Sequence, residues 1–422
     1  MSSQEGLAPF VLPGPAPDRE TLQGWQHWRS TRNSFVPAPR LDLAAYQALS
    51  RRGQGLHDLH RAATHANLAF QETPMSIGVA RMVGGRIQSN ALKHKPTTRA
   101  GVMVNGAGYQ GKTETVCEVA AAFEEQWLAL HGHLVPDAVA GTRDLHAPVA
   151  YAQTPVTATP KSTCQAILGF YGAPHRGMTL PQLVAAVRTS LRDHGTKVLI
   201  LDDITRLRMH READQDVLGL LRSLMSMDVT LILVGVGIHR SGLLREGRTD
   251  QRSAQWVFPA GDGGFNDEAA TQTERRFDLV NLDPFRYDTP EAIAAWVAHL
   301  AGIETQLRLF NATPGMLTDG TMPEYLYRRT GGIVGLLERL IEDGAALAIA
   351  EATETLTESL LDSIEINLGN VPGRDPAAGE IPTLPARADT ATAGVPQPPV
   401  KKKRARATVF DDRGTPSTAS AS

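Results

Sequence analysis

Eight residues, Gly106-Ala107-Gly108-Tyr109-Gln110-Gly111-Lys112-Thr113, lie between an apolar run, Gly101 to Val104, and an amphipathic stretch, TVCEVAAAFEEQW. Strand, glycine-rich turn and helix in that order form the repeating unit of a parallel α/β sheet, and the turn satisfies G-x-x-x-x-G-K-[ST]. Its glycines let consecutive backbone N–H groups and the helix N-terminus converge on phosphate oxygens. Lys112 adds a point charge at the β and γ phosphates, and the Thr113 hydroxyl suits a magnesium ion. The ligands this predicts are ATP and Mg²⁺.

Short apolar runs alternate with longer amphipathic ones beyond this point, predicting strands at Gly101 to Val104, Val149 to Gln153, Lys197 to Asp202, Thr230 to Gly235 and Phe277 to Leu282. Five such strands predict a three-layer α/β P-loop NTPase fold with a parallel sheet. The third strand, KVLIL, delivers Asp202 and Asp203 at its C-terminal end, about 90 residues after the lysine. Ligands of open α/β sheets bind at that edge. Asp202 is placed to hold the magnesium, and Asp203 to orient an attacking water. Its carboxylate is one methylene shorter than a glutamate's, which points to slow hydrolysis.

The fourth strand, LILVG, carries no polar side chain at its end, and His239 in the following loop is the nearest candidate for one. Arg275 and Arg276 immediately precede the last strand. In an oligomer, one of them can project into a neighbour's nucleotide as an arginine finger. Spacing does not choose between them.

The chain has 422 residues, 42% of them hydrophobic, enough for more than one core. Residues 1–37 read as an extended proline- and glycine-rich arm, and 38–95 as a helical segment centred on Leu41 to Leu68. The ATPase domain spans 96–287. A C-terminal helical lid over 288–370 has helices at Pro290 to Leu300, Pro323 to Arg329, Ile333 to Ala350 and Thr357 to Leu368. Residues 371–422 have a Pro/Ala/Thr-rich composition that cannot bury enough apolar surface to fold, and they carry the basic run KKKRARA. The two cysteines, Cys117 and Cys164, are too few for a disulfide framework. No basic region followed by an apolar stretch opens the chain, and no apolar run reaches membrane length, so a cytoplasmic protein without a membrane partner is expected. A net charge of -3 confines any nucleic-acid contact to local patches.

Taken together, GAGYQGKTET, ILGFYGAP, VLILDDITRL, LILVGVG, RRFDLVNLDPF and RRTGGIVGLLERLIEDGAALAI resemble the AAA+ ATPases of the TniB/TnsC type, transposition regulators related to MuB and IstB. The resemblance covers roughly Ala38 to Leu368. It implies a homo-oligomer, a ring or a helical filament, assembling with ATP on double-stranded DNA and recruiting or activating a DDE transposase. It assigns Lys112 and Thr113 to the Walker A pair, Asp202 and Asp203 to the Walker B pair, and Arg275 or Arg276 to the finger. Two departures weaken rapid turnover: the fourth strand lacks its polar residue, and the turn Gly331-Gly332-Ile333-Val334 has no second-sensor arginine.

Candidate DNA contacts are Arg206, Arg208 and Arg211 after the acidic strand, Arg240, Arg245 and Arg248 after the next one, and Lys161 with Arg176 around the insert after the second strand. The alternatives are a nucleotide-gated AAA+ signalling or defence switch, and a weakly hydrolysing ATP-binding scaffold.

Overall fold

The computed structural model describes residues 18–95, 97–134, 146–156, 158–206, 216–238, 248–249, 256–257 and 274–366. The chain divides into two units, Met1–Pro382 and Thr383–Ser422, and every described residue belongs to the first. The basic run of the tail lies outside the described residues.

Five strands form one parallel sheet: β1 (Gly101–Asn105), β2 (Val149–Gln153), β3 (Val198–Asp202), β4 (Thr230–Gly235) and β5 (Phe277–Asn281). Their order is β2-β3-β4-β1-β5. The three-layer α/β fold predicted from the strand runs is the fold observed. β3 and β4 are buried along their whole length, as strands covered on both faces must be, which is why they read as unbroken apolar runs. Edge strand β5 is only partly covered, and Arg86 ties its Asp278 to the neighbouring helix with Nε donating to Oδ2 at 2.7 Å.

Among the described residues four helices precede the sheet: α1 (Leu22–Thr31), α2 (Leu43–Gln47), α3 (Arg51–Ala66) and α4 (Pro74–Ala91). Within the sheet region come α5 (Lys112–Leu134), α6 (Pro160–Phe170), α7 (Leu180–Asp193) and α8 (Asp216–Met225). The crossover from β1 to β2 runs one way along the sheet and those from β2 to β3 and β3 to β4 run back. Right-handed crossovers therefore place α5 and α6–α8 on opposite faces. α4 packs beside α5, its start fixed by a reciprocal cap: the Thr73 hydroxyl accepts from the Ser76 N–H at 3.0 Å, and the Ser76 hydroxyl accepts from the Thr73 N–H at 2.7 Å.

Residues 22–31 correct the expectation of an extended arm. The Thr21 hydroxyl caps α1 by accepting from the Gly24 N–H at 3.0 Å, and Trp25 is fully buried against the sheet core. Apolar burial of one tryptophan outweighs the turn-forming composition just before it.

After β5, α9 (Pro290–Glu304), α10 (Met322–Thr330), α11 (Val334–Ala350) and α12 (Glu358–Asp362) enclose a second apolar core around Trp296, Leu326, Leu337 and Leu340. α3 packs on α11, and their junction is polar. Arg61, 1% exposed, meets both carboxylate oxygens of Glu354 at 2.7 and 3.1 Å and an Asp58 oxygen at 2.6 Å, with its guanidinium over the Phe310 ring. Among the described residues no helix is long and apolar enough to cross a membrane. Both cysteines are buried free thiols.

Two buried histidines make the fold sensitive to acid. His65, whose Nε2 accepts from the Arg308 N–H at 2.9 Å, is pushed down to about 4 by burial and by the charges of Arg61 and Arg308. His299 is pushed down to about 4 by burial alone. The unfolded chain takes up these protons near pH 6.5, so the stability held by the neutral rings is complete above that pH and is lost as pH falls toward 4. Urea unfolding is expected to lose about 2 kcal/mol per histidine between pH 7.5 and 5. Replacing both with glutamine should flatten that slope, and an unchanged slope in the double variant contradicts the assignment.

Candidate active site

The turn between β1 and α5 is shaped by its neighbours as much as by its glycines. A Cβ on Gly106 would stand 2.5 Å from the Leu282 carbonyl oxygen, so only glycine lets the strand end pass that close to the chain leaving β5. Gly111 has φ +74°, and Tyr109 takes the same left-handed region at φ +60°. For a tyrosine that conformation costs about 1–2 kcal/mol, a strain typical of functional turns. The Tyr109 ring is exposed, while Gln110 is buried with neither amide atom hydrogen-bonded.

Lys112 folds back over the turn, its Nζ donating to the Ala107 carbonyl at 2.6 Å. Burial pulls the ammonium's pKa down, and the charges of Asp202 and Asp203 oppose that. The Thr113 hydroxyl donates to Asp202 Oδ2 at 2.7 Å, bringing the two predicted magnesium ligands together although 89 residues separate them. Both supply hard oxygen. Among the described residues no cluster of three or more His, Cys, Asp or Glu could cage a metal alone. A hydroxyl and one carboxylate fit a magnesium ion that keeps water and phosphate oxygens in its remaining positions. Such an ion, when bound, neutralises charge on the phosphates.

Asp202 is held from three sides. Besides Thr113, the Tyr151 hydroxyl donates to Oδ2 at 2.8 Å and the Asp203 N–H donates to Oδ1 at 2.8 Å. Burial and the adjacent Asp202 charge push the Tyr151 phenol's pKa far up, keeping it a donor. Asp203 leaves the strand at φ +51°, and Gln153 Nε2 donates to its Oδ2 at 3.0 Å. Gln153 stands opposite Asp202 in the β2–β3 register, so both strands end on the same edge.

Asn105, the last residue of β1, binds the chain leaving β4 and the end of β5. Its Oδ1 accepts from the Gly237 and Ile238 N–H groups at 2.7 and 3.3 Å, and its Nδ2 donates to Asn281 Oδ1 at 2.9 Å. One amide thus joins the ends of three strands around the turn. Above it, the glycine pair before α11 permits close approach: Gly331 and Gly332 have φ +62° and +73°, and the Gly335 N–H donates to the Tyr109 carbonyl at 2.9 Å. The second helical core therefore rests its helix N-terminus directly on the phosphate turn.

Arg275 and Arg276 form a 3₁₀ turn before β5, Arg275 exposed and Arg276 partly so. Register pairs Phe277 with Gly101 and Asn281 with Asn105, so these arginines sit at the opposite end of the sheet from their own turn, about 16 Å away along the strand. Lys161 is exposed in the first turn of α6, and Arg176 is exposed between α6 and α7. Arg206 closes a short 3₁₀ turn after Asp203, and Arg248 lies in a two-residue ladder with Val257; neither side chain is described. Arg208, Arg211, His239, Arg240 and Arg245 lie outside the described residues.

Four contributors to this edge, Tyr151, Gln153, Asn105 and Arg19, are absent from the motif reading. Tyr151 and Gln153 share a strand face by their spacing of two, but only the pairing of β2 with β3 brings that face to Asp202 and Asp203. Arg19 and its neighbours Asp18 and Glu20 line a cavity of about 400 Å³ with Thr113, Glu114, Tyr151, Gln153, Asp202 and Asp203.

The chain is similar over residues 97–243 to the family described as AAA domain. Among solved structures it is similar to the Walker-type ATPase PABY2304 of Pyrococcus abyssi, at 14% identity and TM-score 0.34, covering 65% of this chain and 72% of that one. It is also similar to PCH-2 of C. elegans, at 11% identity and TM-score 0.32, covering 71% of this chain and 70% of that one. No functionally curated protein matches the sequence. Its strand order, phosphate turn and acidic strand end give the chain a three-layer α/β fold like that of the AAA domain family it resembles over residues 97–243.

Proposed function

We propose that this protein is a nucleotide-gated switch that binds ATP with magnesium and hydrolyses it slowly. The observation carrying this reading is the convergence of Lys112, Thr113, Asp202 and Asp203 on one sheet edge, beneath the α11 N-terminus that bonds to Tyr109. Backbone N–H groups of residues 106–113 and the Lys112 ammonium are the groups to hold the triphosphate. Thr113 and Asp202 are the groups to hold the magnesium, with Tyr151 orienting Asp202. Asp203 is the base that takes a proton from the attacking water, and its hydrogen bond from Gln153 together with its short side chain favours slow turnover.

Since Gly335 contacts the turn itself, phosphates entering there bear on the seating of α11 and on the helical core behind it. That is the element through which occupancy is to be read out. The position of Arg275 and Arg276 at the far end of β5 from the phosphate turn supports a role toward a neighbouring copy in an oligomer.

The finer reading, an ATP-dependent regulator of transposition that assembles on duplex DNA and engages a DDE transposase, is supported by the sequence resemblance to the TniB/TnsC type. Its candidate contacts whose side chains are described are Lys161 and Arg176. One experiment separates the readings: turnover and electron microscopy of the purified chain with ATP, a slowly hydrolysed analogue or ADP, each with and without duplex DNA. Rings or filaments on DNA that need the triphosphate support the transposition reading. Nucleotide-dependent assembly indifferent to DNA supports the switch alone, and a chain with no turnover under any condition leaves a binding scaffold.

A further inference from the structure

We propose that Arg19, from the segment preceding α1, contacts the terminal phosphate of the nucleotide bound by its own chain. This rests on the ATP reading above and adds to it a residue that no P-loop motif contains.

The cavity on the metal side of the site is lined by five carboxylates, of Asp18, Glu20, Glu114, Asp202 and Asp203, and among the described residues Arg19 is the one cation in its lining. A triphosphate extending past Thr113 toward Asp203 brings more negative charge into that lining. Lys112 reaches the phosphates from the turn, its Nζ bonded to Ala107, and Arg19 adds a second protein cation within the cavity that Asp203 lines. Arginine is suited to this, since its planar fork matches two phosphate oxygens at once and its charge is permanent.

Arg19 is also held ready. Nη1 and Nη2 meet Oε2 and Oε1 of Glu114 at 3.2 and 2.9 Å, and Glu114 is the residue next to Thr113. The guanidinium lies 5.1 Å from the Trp28 ring centre and 5.9 Å from that of Tyr151, whose hydroxyl bonds Asp202. Two ring contacts and a paired carboxylate thus hold the guanidinium beside the cavity.

Fastening of the helix is accounted for without it. α1 is attached to α5 by Trp25 Nε1 donating to Glu124 at 2.6 Å, by Arg29 to Glu124 at 3.4 Å, and by Arg32 to Glu118 and Glu125 at 3.1 and 2.6 Å. Arg19 precedes the helix and lines the cavity, where Glu114 is its partner. A phosphate and Glu114 then compete for one guanidinium.

The competition gives the test. Calorimetric binding of ADP and of a slowly hydrolysed ATP analogue, both with magnesium, is measured on the full chain and on Arg19→Ala, Arg19→Lys, Glu114→Gln and the Arg19→Ala/Glu114→Gln double variant. Loss of a charged hydrogen-bond pair predicts about tenfold or greater weakening of the analogue in Arg19→Ala, with ADP changed by less than about twofold. Arg19→Lys should recover part of the loss. Glu114→Gln should tighten the analogue in the parent chain and not in the Arg19→Ala background. Equal losses for ADP and analogue, or an unchanged analogue affinity in a folded Arg19→Ala chain, overturn the proposal. Where Arg19→Ala lowers the thermal midpoint, Arg19→Gln carries the same expectation with the stem retained. A parent chain that binds neither nucleotide removes the ATP reading itself, whereas a parent that binds ATP and loses no selectivity on substitution removes Arg19 alone.

Discussion

Asp203→Asn is expected to lower ATP turnover by about 10²-fold or more while ATP still binds within a few-fold of the parent affinity. The amide keeps the size of the carboxylate and can accept from Gln153 after rotation, so the left-handed strand exit and the Asp203 N–H bond to Asp202 are left in place. What is removed is a base able to take the water's proton. Asp202→Asn should behave differently, because its Oδ2 receives both Thr113 and Tyr151 and belongs to the magnesium shell: binding in the presence of magnesium should weaken along with turnover. Equal turnover in Asp203→Asn and parent, in an assay where Lys112→Ala is inactive, would move the base elsewhere on the edge.

The largest stability effect is expected at a position remote from the nucleotide. Glu354→Ala leaves the Arg61 guanidinium buried with only Asp58 as a charged partner, and breaking such a buried pair from one side costs about 3–5 kcal/mol. Glu354 also accepts from the Phe310 N–H at 3.2 Å, so the loop after α9 loses a tie at the same time. Replacing both charges, Arg61→Met with Glu354→Leu, should be less damaging than Glu354→Ala alone, since no uncompensated charge remains. Urea denaturation of the parent and these two variants tests this, and a double variant as unstable as Glu354→Ala contradicts the buried-charge explanation. The pair joins α3 to the loop following α11, so its loss is also expected to loosen the helix that reaches Tyr109.

The five strands were legible because a strand covered on both faces has to be a continuous apolar run, and β3 and β4 are that case. The phosphate turn was legible because its residues are contiguous and its chemistry is local. Asp202 and Asp203 followed from the rule that ligands gather at strand C-termini, which needs no knowledge of strand order. Tyr151, Gln153 and Asn105 were not legible, because their roles depend on which strand lies beside which: β2 is remote from β1 in the sheet yet next to β3. Asn105 in particular looks like an ordinary strand-ending residue until β4 and β5 are placed on either side of β1. α1 was hidden by the prolines before it, although Thr21 as cap and Trp25 and Trp28 three residues apart were its local signature. Arg19 needed that helix to be seen first, since only α1 seated on α5 brings the preceding segment to Glu114.

The phosphate turn's neighbours also alter what the missing second-sensor arginine implies. With glycine at 331, 332 and 335 the N-terminus of α11 comes close enough to bond the turn's own carbonyl, so backbone contact stands where a side chain was expected. A substitution with bulk at Gly335 would meet Tyr109 directly, its Cβ falling 2.9 Å from the Tyr109 carbonyl oxygen.

The most direct test of the central claim is titration of the full chain with ATP by calorimetry, with and without magnesium, alongside Lys112→Ala. The account predicts saturable binding of one ATP per chain that strengthens with magnesium and weakens by about tenfold or more when Lys112 is removed. A parent chain without saturable ATP binding, or a Lys112→Ala chain that binds as the parent does, contradicts it.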